Sequence, residues 1–336
     1  MIIPFFIPHY GCPHQCVFCN QRNITGQNHP DDTSAIPGKI NRYLNTHDTS
    51  EPVEIAFYGG SFTALPLEVQ QAYLENVRPF LRSGRVRNIR LSTRPDYISN
   101  RILKFLKEHL VTVIELGAQS MDDNVLVSSG RGHTSDDTMN AVEHLKELGF
   151  EVGLQLMPGL PGDTAKNFVK KTIDNVIAIK PGFVRLYPVL VIKGTPLENL
   201  YRNGYYQPLA LDEAVDLCCE AAVKLEHAGI DVIRIGLQPT EELEKPGTIL
   251  AGPFHPSFRQ LVDSLIFLNK MRAALKMRKR TNNTAEFSVN PKDISPAVGQ
   301  RRGNIKVIIK EFNLERVRIV EDSSVRGKWE IKLSSP

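Results

Sequence analysis

Short β-type runs alternate with longer helical patterns over the first 237 residues, and no other feature constrains the fold of this chain as strongly. The strand candidates are "IIPFFIP", "VEIAFYG", "VRNIRLST", "VTVIELG", "FEVGLQL", "FVRLYPV" and "DVIRIGL". Helical stretches lie between them, among them "PLEVQQAYLENVRPFLR", "TMNAVEHLKELG", "NFVKKTIDNVIAI" and "LDEAVDLCCEAAVKLEHAG", where Leu211, Val215, Cys218, Cys219 and Ala222 recur at helical spacing. A chain that returns to a strand after each helix builds βα units with right-handed crossovers, and so a parallel sheet. The Gly- and Pro-rich segments "GCPHQC", "GGSF", "STRPD", "GAQS" and "PGLPGD" all follow strands. In a parallel barrel the loops at the carboxyl ends of strands carry the active site, so these five would converge on one mouth.

After about residue 250 the pattern changes. "HPSFRQLVDSLIFLNKMRAALKMRKR" reads as a long amphipathic helix, "TNNTAEFSVNPKDISPAVGQ" as a loop with one strand, and "GNIKVIIKEFN" as a helix. "VRIVED" and "WEIKL" read as a hairpin pair. The expected organisation is an α/β core over residues 1–250 and a small α+β appendage over residues 251–336. The net charge of +4 conceals an asymmetry: residues 270–336 hold 16 Lys+Arg and 7 Asp+Glu, a net of +9, which leaves −5 for the rest. A basic end on an acidic body suits an anionic partner such as RNA, although a solvated basic face is the commoner cause.

Three of the five cysteines, Cys12, Cys16 and Cys19, crowd into "CPHQCVFC" with the spacing C-x3-C-x2-C. An odd count with a cluster is not a disulfide framework and suits a reducing cytoplasm. The apolar start "MIIPFFIPHYGC" lacks a basic leader and holds two prolines, which argues against a signal peptide. No uncharged run approaches the roughly 20 residues of a membrane span. Soft thiolates suit zinc, copper(I) or iron–sulfur centres. A zinc site would take His14 or His9 as fourth ligand. A four-iron cluster with three cysteine ligands would leave one iron open, and a redox pair at Cys16 and Cys19 would leave Cys12 unexplained.

"CPHQCVFC", with Phe18 before the last cysteine and placed after a first strand, resembles the signature of radical S-adenosylmethionine (SAM) enzymes. "FYGGSF" is similar to their glycine turn after the second strand. "LSTRPDYI", "ELGAQSMDDNVLVSSGRGHT", "LQLMPGLPGD" and "LYPVLVIKGTPLENLYRNGYY" resemble, in order, segments of the radical SAM domain of the elongator catalytic subunit. The oxygen-independent coproporphyrinogen oxidases share a weaker version. The resemblance covers residues 1–240 and implies a partial TIM-type barrel.

It also implies that Cys12, Cys16 and Cys19 ligate three irons of a [4Fe-4S] cluster whose fourth iron binds SAM. Gly59, Gly60 and Ser61 would receive the methionine amino group, Gln119 the ribose, and Arg131 the carboxylate. Gln155 and Met157 would lie near ribose and adenine. Ser92 stands where both families carry a glutamate. Reductive cleavage of the sulfonium would yield a 5′-deoxyadenosyl radical that abstracts hydrogen from substrate. An external donor such as ferredoxin or flavodoxin would supply the electron, and the protein would bind, orient and exclude competing reactions.

Taken singly, "GGS" is a common turn, and Gln119 and Gln155 are ordinary strand-end hydrogen-bonding residues. Asp163 most simply caps the following helix, and Cys218 and Cys219 read as core residues. Only about 85 residues follow position 250, without a glycine-rich phosphate loop, so the acetyl transfer of the elongator subunit is not expected. Three functions follow: a radical SAM enzyme on RNA such as tRNA, one on a small metabolite, or a non-enzymatic metal-binding protein. Tyr10, Tyr187, Lys193 and Arg234, on strand-end loops not assigned to the cofactor, are the substrate-side candidates, with Lys193 foremost.

Overall fold

The structure, a computed structural model, describes residues 1–27, 29–46, 52–277 and 283–333. The chain divides into two compact units, Met1–Ala210 with Lys224–Phe254, and Leu211–Val223 with His255–Pro336.

Among the described residues of the first unit, seven strands form one parallel sheet: β1 (Ile2–Phe6), β2 (Glu54–Tyr58), β3 (Asn88–Thr93), β4 (Val111–Gln119), β5 (Glu151–Leu156), β6 (Phe183–Leu186) and β8 (Asp231–Ile235). They lie side by side in chain order. All seven strand candidates are present. A short antiparallel pair, β7 (Val191–Ile192) with β9 (Ile249–Ala251), flanks the sheet's last strands in sequence.

Alternation decides which side chains share a face, because successive residues of a strand point to opposite sides. One parity is apolar and buried: Ile3 and Phe5, Ile55 and Phe57, Ile89 and Leu91, Ile114 and Leu116, Val152 and Leu154, Val184 and Leu186. Phe57 stacks near Phe5, Phe62 and Tyr73, the last from helix α2 (Leu67–Glu75), so the crossover helix is locked on by aromatic burial.

The other parity carries polar and charged side chains: Glu54, Tyr58, Arg90, Glu115 and Arg185. The Tyr58 hydroxyl lies 3.0 Å from Nη2 of Arg185. Those residues sit on β2 and β6, four strands apart, which in a flat sheet is roughly 19 Å. Only a sheet curled into a half-barrel lets them touch, so the polar face is the concave one. This is the partial TIM-type barrel that the resemblance implies.

Two local expectations change. "LEVQQAYLENVRPFLR" is two helices, α2 and Arg78–Arg82, because Pro79 cannot continue a helix and starts a new one. Asp163 does not cap the next helix: Thr164 does, its hydroxyl accepting from Asn167 N, while Asp163 accepts from Thr164 N at 2.9 Å.

In the second unit, α4 (Leu211–His227), whose first thirteen residues belong there, carries Cys218 and Cys219 as buried core residues. Helix α5 (Phe258–Met277) is followed by β10 (Thr284–Val289), α6 (Ile294–Val298), α7 (Gly303–Phe312), β11 (Arg316–Glu321) and β12 (Lys332–Leu333). The sheet order is β11-β10-β12, with β10 parallel to β11 and antiparallel to β12. The expected hairpin of "VRIVED" with "WEIKL" is therefore not formed: β10 lies between them. The basic run Arg278, Lys279 and Arg280 lies outside the described residues.

Candidate active site at the mouth of the half-barrel

The loop after β1 carries the three cysteines, and neighbouring loops hold it from several sides. Cys19 N donates to Cys16 O at 3.1 Å, and Val17 N to Ser129 O at 3.1 Å. Leu197 N donates to Val17 O at 2.8 Å. Cys16 and Phe18 are buried in an apolar cluster with Val125, Leu160, Val189 and Leu197. Helix α1 (Gln21–Thr25) closes the loop: Gln21 Oε1 accepts from His9 N and, at 2.7 Å, from Gly60 N, while Gln21 N donates to His9 Nε2 at 2.9 Å. His9 is thus committed to the loop's own structure.

The glycine turn after β2 is pressed against this loop. Gly60 has φ 55, and a Cβ there would lie 2.2 Å from Tyr10 O and 2.6 Å from Ile7 O. Any side chain would push the two loops apart, so the backbone's close approach requires glycine. Gly59 (φ 81) shares the left-handed conformation. Ser61 is fully buried, its N donating to Tyr10 O at 3.0 Å and its Oγ paired with Thr93 Oγ1 at 3.0 Å.

Gln119 ends β4 with φ 67 and is buried; its Oε1 accepts from Gln155 Nε2 at 3.2 Å, and Met157 N donates to its carbonyl at 2.8 Å. Gln119, Gln155 and Met157 are thereby brought together. Arg131 is buried beside Cys16, with Nη1 3.1 Å from Cys16 Sγ and Nη2 donating to Gly117 O. Its carbonyl accepts from Arg94, which is held by Asp96 through two bonds of 2.9 and 2.8 Å. Burial, then the Arg131 and Arg94 charges, push His133 down to about 4, so its imidazole is neutral.

All three loop cysteines are free thiols. Burial, then the charge of Cys16, raises Cys12; burial, then Cys16 and Cys12, pushes Cys19 up to about 12. Thiols that disfavour one another's ionisation need a cationic centre to become ligands. Among the described residues no three His, Cys, Asp or Glu side chains converge tightly enough to hold one metal ion. Arg131 Nε is buried without a hydrogen-bond partner among the described residues, and the Gly60 cradle has no room for a Cβ. The chain's residues therefore fit a cluster with an adjoining anionic, amine-bearing cofactor.

Deeper in the barrel lies a charged network that the sequence reading missed. Glu115, buried on β4, accepts from Arg90 Nη1 at 3.0 Å, from Arg185 Nε at 2.6 Å and from the Tyr58 hydroxyl at 3.1 Å. Arg90 also pairs with Glu54 at 2.5 Å. Burial, then the Glu115 carboxylate, holds the Tyr58 phenol above its ordinary range, so it stays a hydrogen-bond donor. Tyr187 neighbours Arg185, Glu115 and Arg234, and burial raises its phenol too. Arg234 pairs in register with Arg185, and Arg185 with Gln155. Tyr187 and Arg234 are thus gathered on the concave face. Lys193 is not among them: it is exposed beyond β7, and its carbonyl accepts from Asn20 and Asn23 at 3.2 and 3.0 Å. Tyr10 is 39% exposed at the mouth. Ser92 pairs in register with Glu115, so a carboxylate stands one strand over from the position where the resemblance wants one. One charged residue in each of the otherwise uncharged runs "VEIAFY", "NIRLS", "VIEL" and "FVRLY", namely Glu54, Arg90, Glu115 and Arg185, was the available signal.

A half-barrel of parallel strands whose carboxyl-end loops hold three thiols and a glycine cradle defines a cofactor-dependent α/β-barrel enzyme. The sequence matches the Radical SAM superfamily over residues 6–171 and the Radical_SAM C-terminal domain over residues 181–266. The chain belongs to the radical SAM superfamily, and its cofactors are a [4Fe-4S] cluster and SAM. It is 29% identical over 248 residues to the tRNA uridine(34) acetyltransferase of Methanocaldococcus jannaschii, covering 61% of this chain and 45% of that one. It is 28% identical over 283 residues to an uncharacterized protein of the same organism, covering 80% and 82%. The archaeal Methanocaldococcus infernus Elp3 with an N-terminal deletion shares the fold, with a TM-score of 0.61 at 22% identity over 83% of this chain and 64% of that one. This chain spans just under half the length of the first of these curated relatives. No helix among the described residues is long and apolar enough to cross a membrane.

Proposed function

We propose that this enzyme abstracts a hydrogen atom from an RNA substrate, a tRNA base in the first instance. When bound, the cluster and SAM supply reductive cleavage of the sulfonium and with it an organic radical. Cys12, Cys16 and Cys19 hold the cluster, and the Gly59–Gly60–Ser61 turn takes the methionine amino group. Arg131 meets the carboxylate through Nε while its other nitrogens stay on Cys16 and Gly117. Gln119, Gln155 and Met157 line the nucleoside. Tyr187 and Arg234, joined by Arg185, form the substrate side; Tyr10 stands at the entrance, and Lys193 is exposed beyond β7.

The observation that carries this reading is the concave face: three arginines against two carboxylates, held by phenols that remain protonated, give a polar, net-positive chamber beneath the cofactor loops. Such a chamber orients a polar or anionic group and needs no titration at neutral pH. The relative that acts on tRNA uridine(34) supports the choice of RNA. An external ferredoxin- or flavodoxin-type donor would supply the electron, and the clustered free thiols support a reducing, cytoplasmic setting.

The test is anaerobic reconstitution followed by measurement of 5′-deoxyadenosine with tRNA, with ribonuclease-treated tRNA and with a metabolite extract. Stimulation by intact tRNA that ribonuclease abolishes is expected. Stimulation by the extract alone would replace RNA with a small metabolite.

A further inference from the structure

We propose that the second unit carries a groove of the KH type that binds single-stranded RNA. Its β10, α6, α7 and β11 follow one another in β-α-α-β order, and β10 and β11 are immediate parallel neighbours from Thr284↔Arg316 to Val289↔Glu321. The helices are joined by Gly299-Gln300-Arg301-Arg302, with α7 starting at Gly303. That plan resembles the KH module, whose Gly-x-x-Gly loop clamps the backbone of about four nucleotides.

The turn departs from the motif in one residue and keeps its conformation. Gly299 has φ 76, and a Cβ there would lie 2.9 Å from the Asn304 side chain. Arg302 stands where the second glycine belongs and retains the left-handed backbone, φ 61, as does Arg301, φ 51. Asn304 fixes the turn from below: its buried amide donates to Pro296 O at 3.2 Å and Ala297 O at 3.1 Å in α6, and to Ser264 O at 2.9 Å in α5. Gln300, Arg301 and Arg302 are exposed on this turn.

Beside the turn runs a groove of about 420 Å³ between α7 and β11, lined by Ile305, Ile309, Val317 and Ile319 and by three arginines, Arg302, Arg316 and Arg318, against one acid, Glu315. Aliphatic side chains line it, and its charged side chains carry a net positive charge. A chain with phosphates on one edge and flat bases on the other satisfies both surfaces, and the net +9 of residues 270–336 favours it over an acid-poor protein partner. The choice of RNA over DNA rests on the substrate reading above. The groove itself rests on the second unit alone.

The test uses the full chain and a short labelled single-stranded RNA at low salt, read by fluorescence anisotropy without turnover. Gln300→Asp with Arg301→Asp should weaken binding by at least about ten-fold, whereas Ser323→Asp with Arg326→Asp, an equal charge change after β11, should shift it by less than about three-fold. Arg301→Gln alone should weaken binding about three-fold, and it provides the readout if the double variant fails to fold. Equal loss in both double variants, no loss in the turn variants, or equal affinity for DNA of the same sequence would overturn the proposal. RNA binding that depends on the turn, in a protein whose 5′-deoxyadenosine formation ignores tRNA, would remove the substrate reading and leave the groove standing.

Discussion

Two glycine-bearing turns, one in each unit, show how differently a left-handed backbone can be used. At the barrel mouth Gly60 is hemmed in by two backbone carbonyls, and the turn exists because two loops touch. In the second unit the turn after α6 keeps the same sign of φ at Arg301 and Arg302, residues with side chains, because those side chains point into solvent. Steric room, and not the dihedral alone, decides whether glycine is obligatory. The first turn is part of a crowded, over-determined centre. The second presents backbone and charge to the outside.

Substitutions should separate the two regions by size of effect. Cys16→Ala should abolish the brown chromophore after anaerobic reconstitution, as well as 5′-deoxyadenosine formation; a variant that kept a full complement of cluster iron would contradict the assignment of the thiols. Glu115→Gln leaves Arg90 and Arg185 charged and poorly paired inside the barrel, and should cost about 3–5 kcal/mol in urea unfolding. A change under about 1 kcal/mol would mean that water already reaches the network. Gly60→Ala should cost about 1–3 kcal/mol and lower SAM affinity as the loops separate, which calorimetry would measure.

Arg302→Gly in the second unit should alter stability by less than about 1 kcal/mol, since relief of the left-handed conformation is offset by added freedom in the unfolded chain. A larger loss would show that the arginine packs as well as projects. The smallest effect concerns pH. Desolvation raises Asp163 from the ordinary 3.8 to about 6, and one of its oxygens is buried without a hydrogen-bond partner. The fold therefore favours the protonated acid. Its stabilisation is complete below about pH 4 and lost as pH rises through 6. Asp163→Asn should match the parent at pH 4 and melt at a higher temperature at pH 8, and identical melting at both values would refute the shift.

The parts of this protein legible from sequence are those encoded in contiguous residues. "CPHQCVFC" and "FYGGSF" are contiguous motifs, so the thiol cluster was visible in its spacing, and the resemblance assigned roles to Cys12, Cys16, Cys19, Gly59 and Gly60. The strands of the sheet were legible for a similar reason: period-two burial is a local signal. Legibility failed where partners are distant. Glu115 joins Arg90, Arg185 and Tyr58 from four separate strands, and Lys193, the foremost substrate-side candidate, is exposed beyond β7 while Tyr187 neighbours Arg185 and Glu115. "VRIVED" and "WEIKL" read as a hairpin because they are neighbours in sequence, but β10, with Ala285, Phe287 and Val289 buried, is the more apolar partner for both.

The sequence by itself determined the strands of the sheet and the three-thiol loop, because hydrophobic period and ligand spacing are short-range properties, and the order of its motifs carried the family resemblance. Only the tertiary structure decided which charges share the concave face and that β10 pairs with β11 to frame a groove. Parallel pairing brings together residues separated by whole helices, and no local pattern records the register in which they meet.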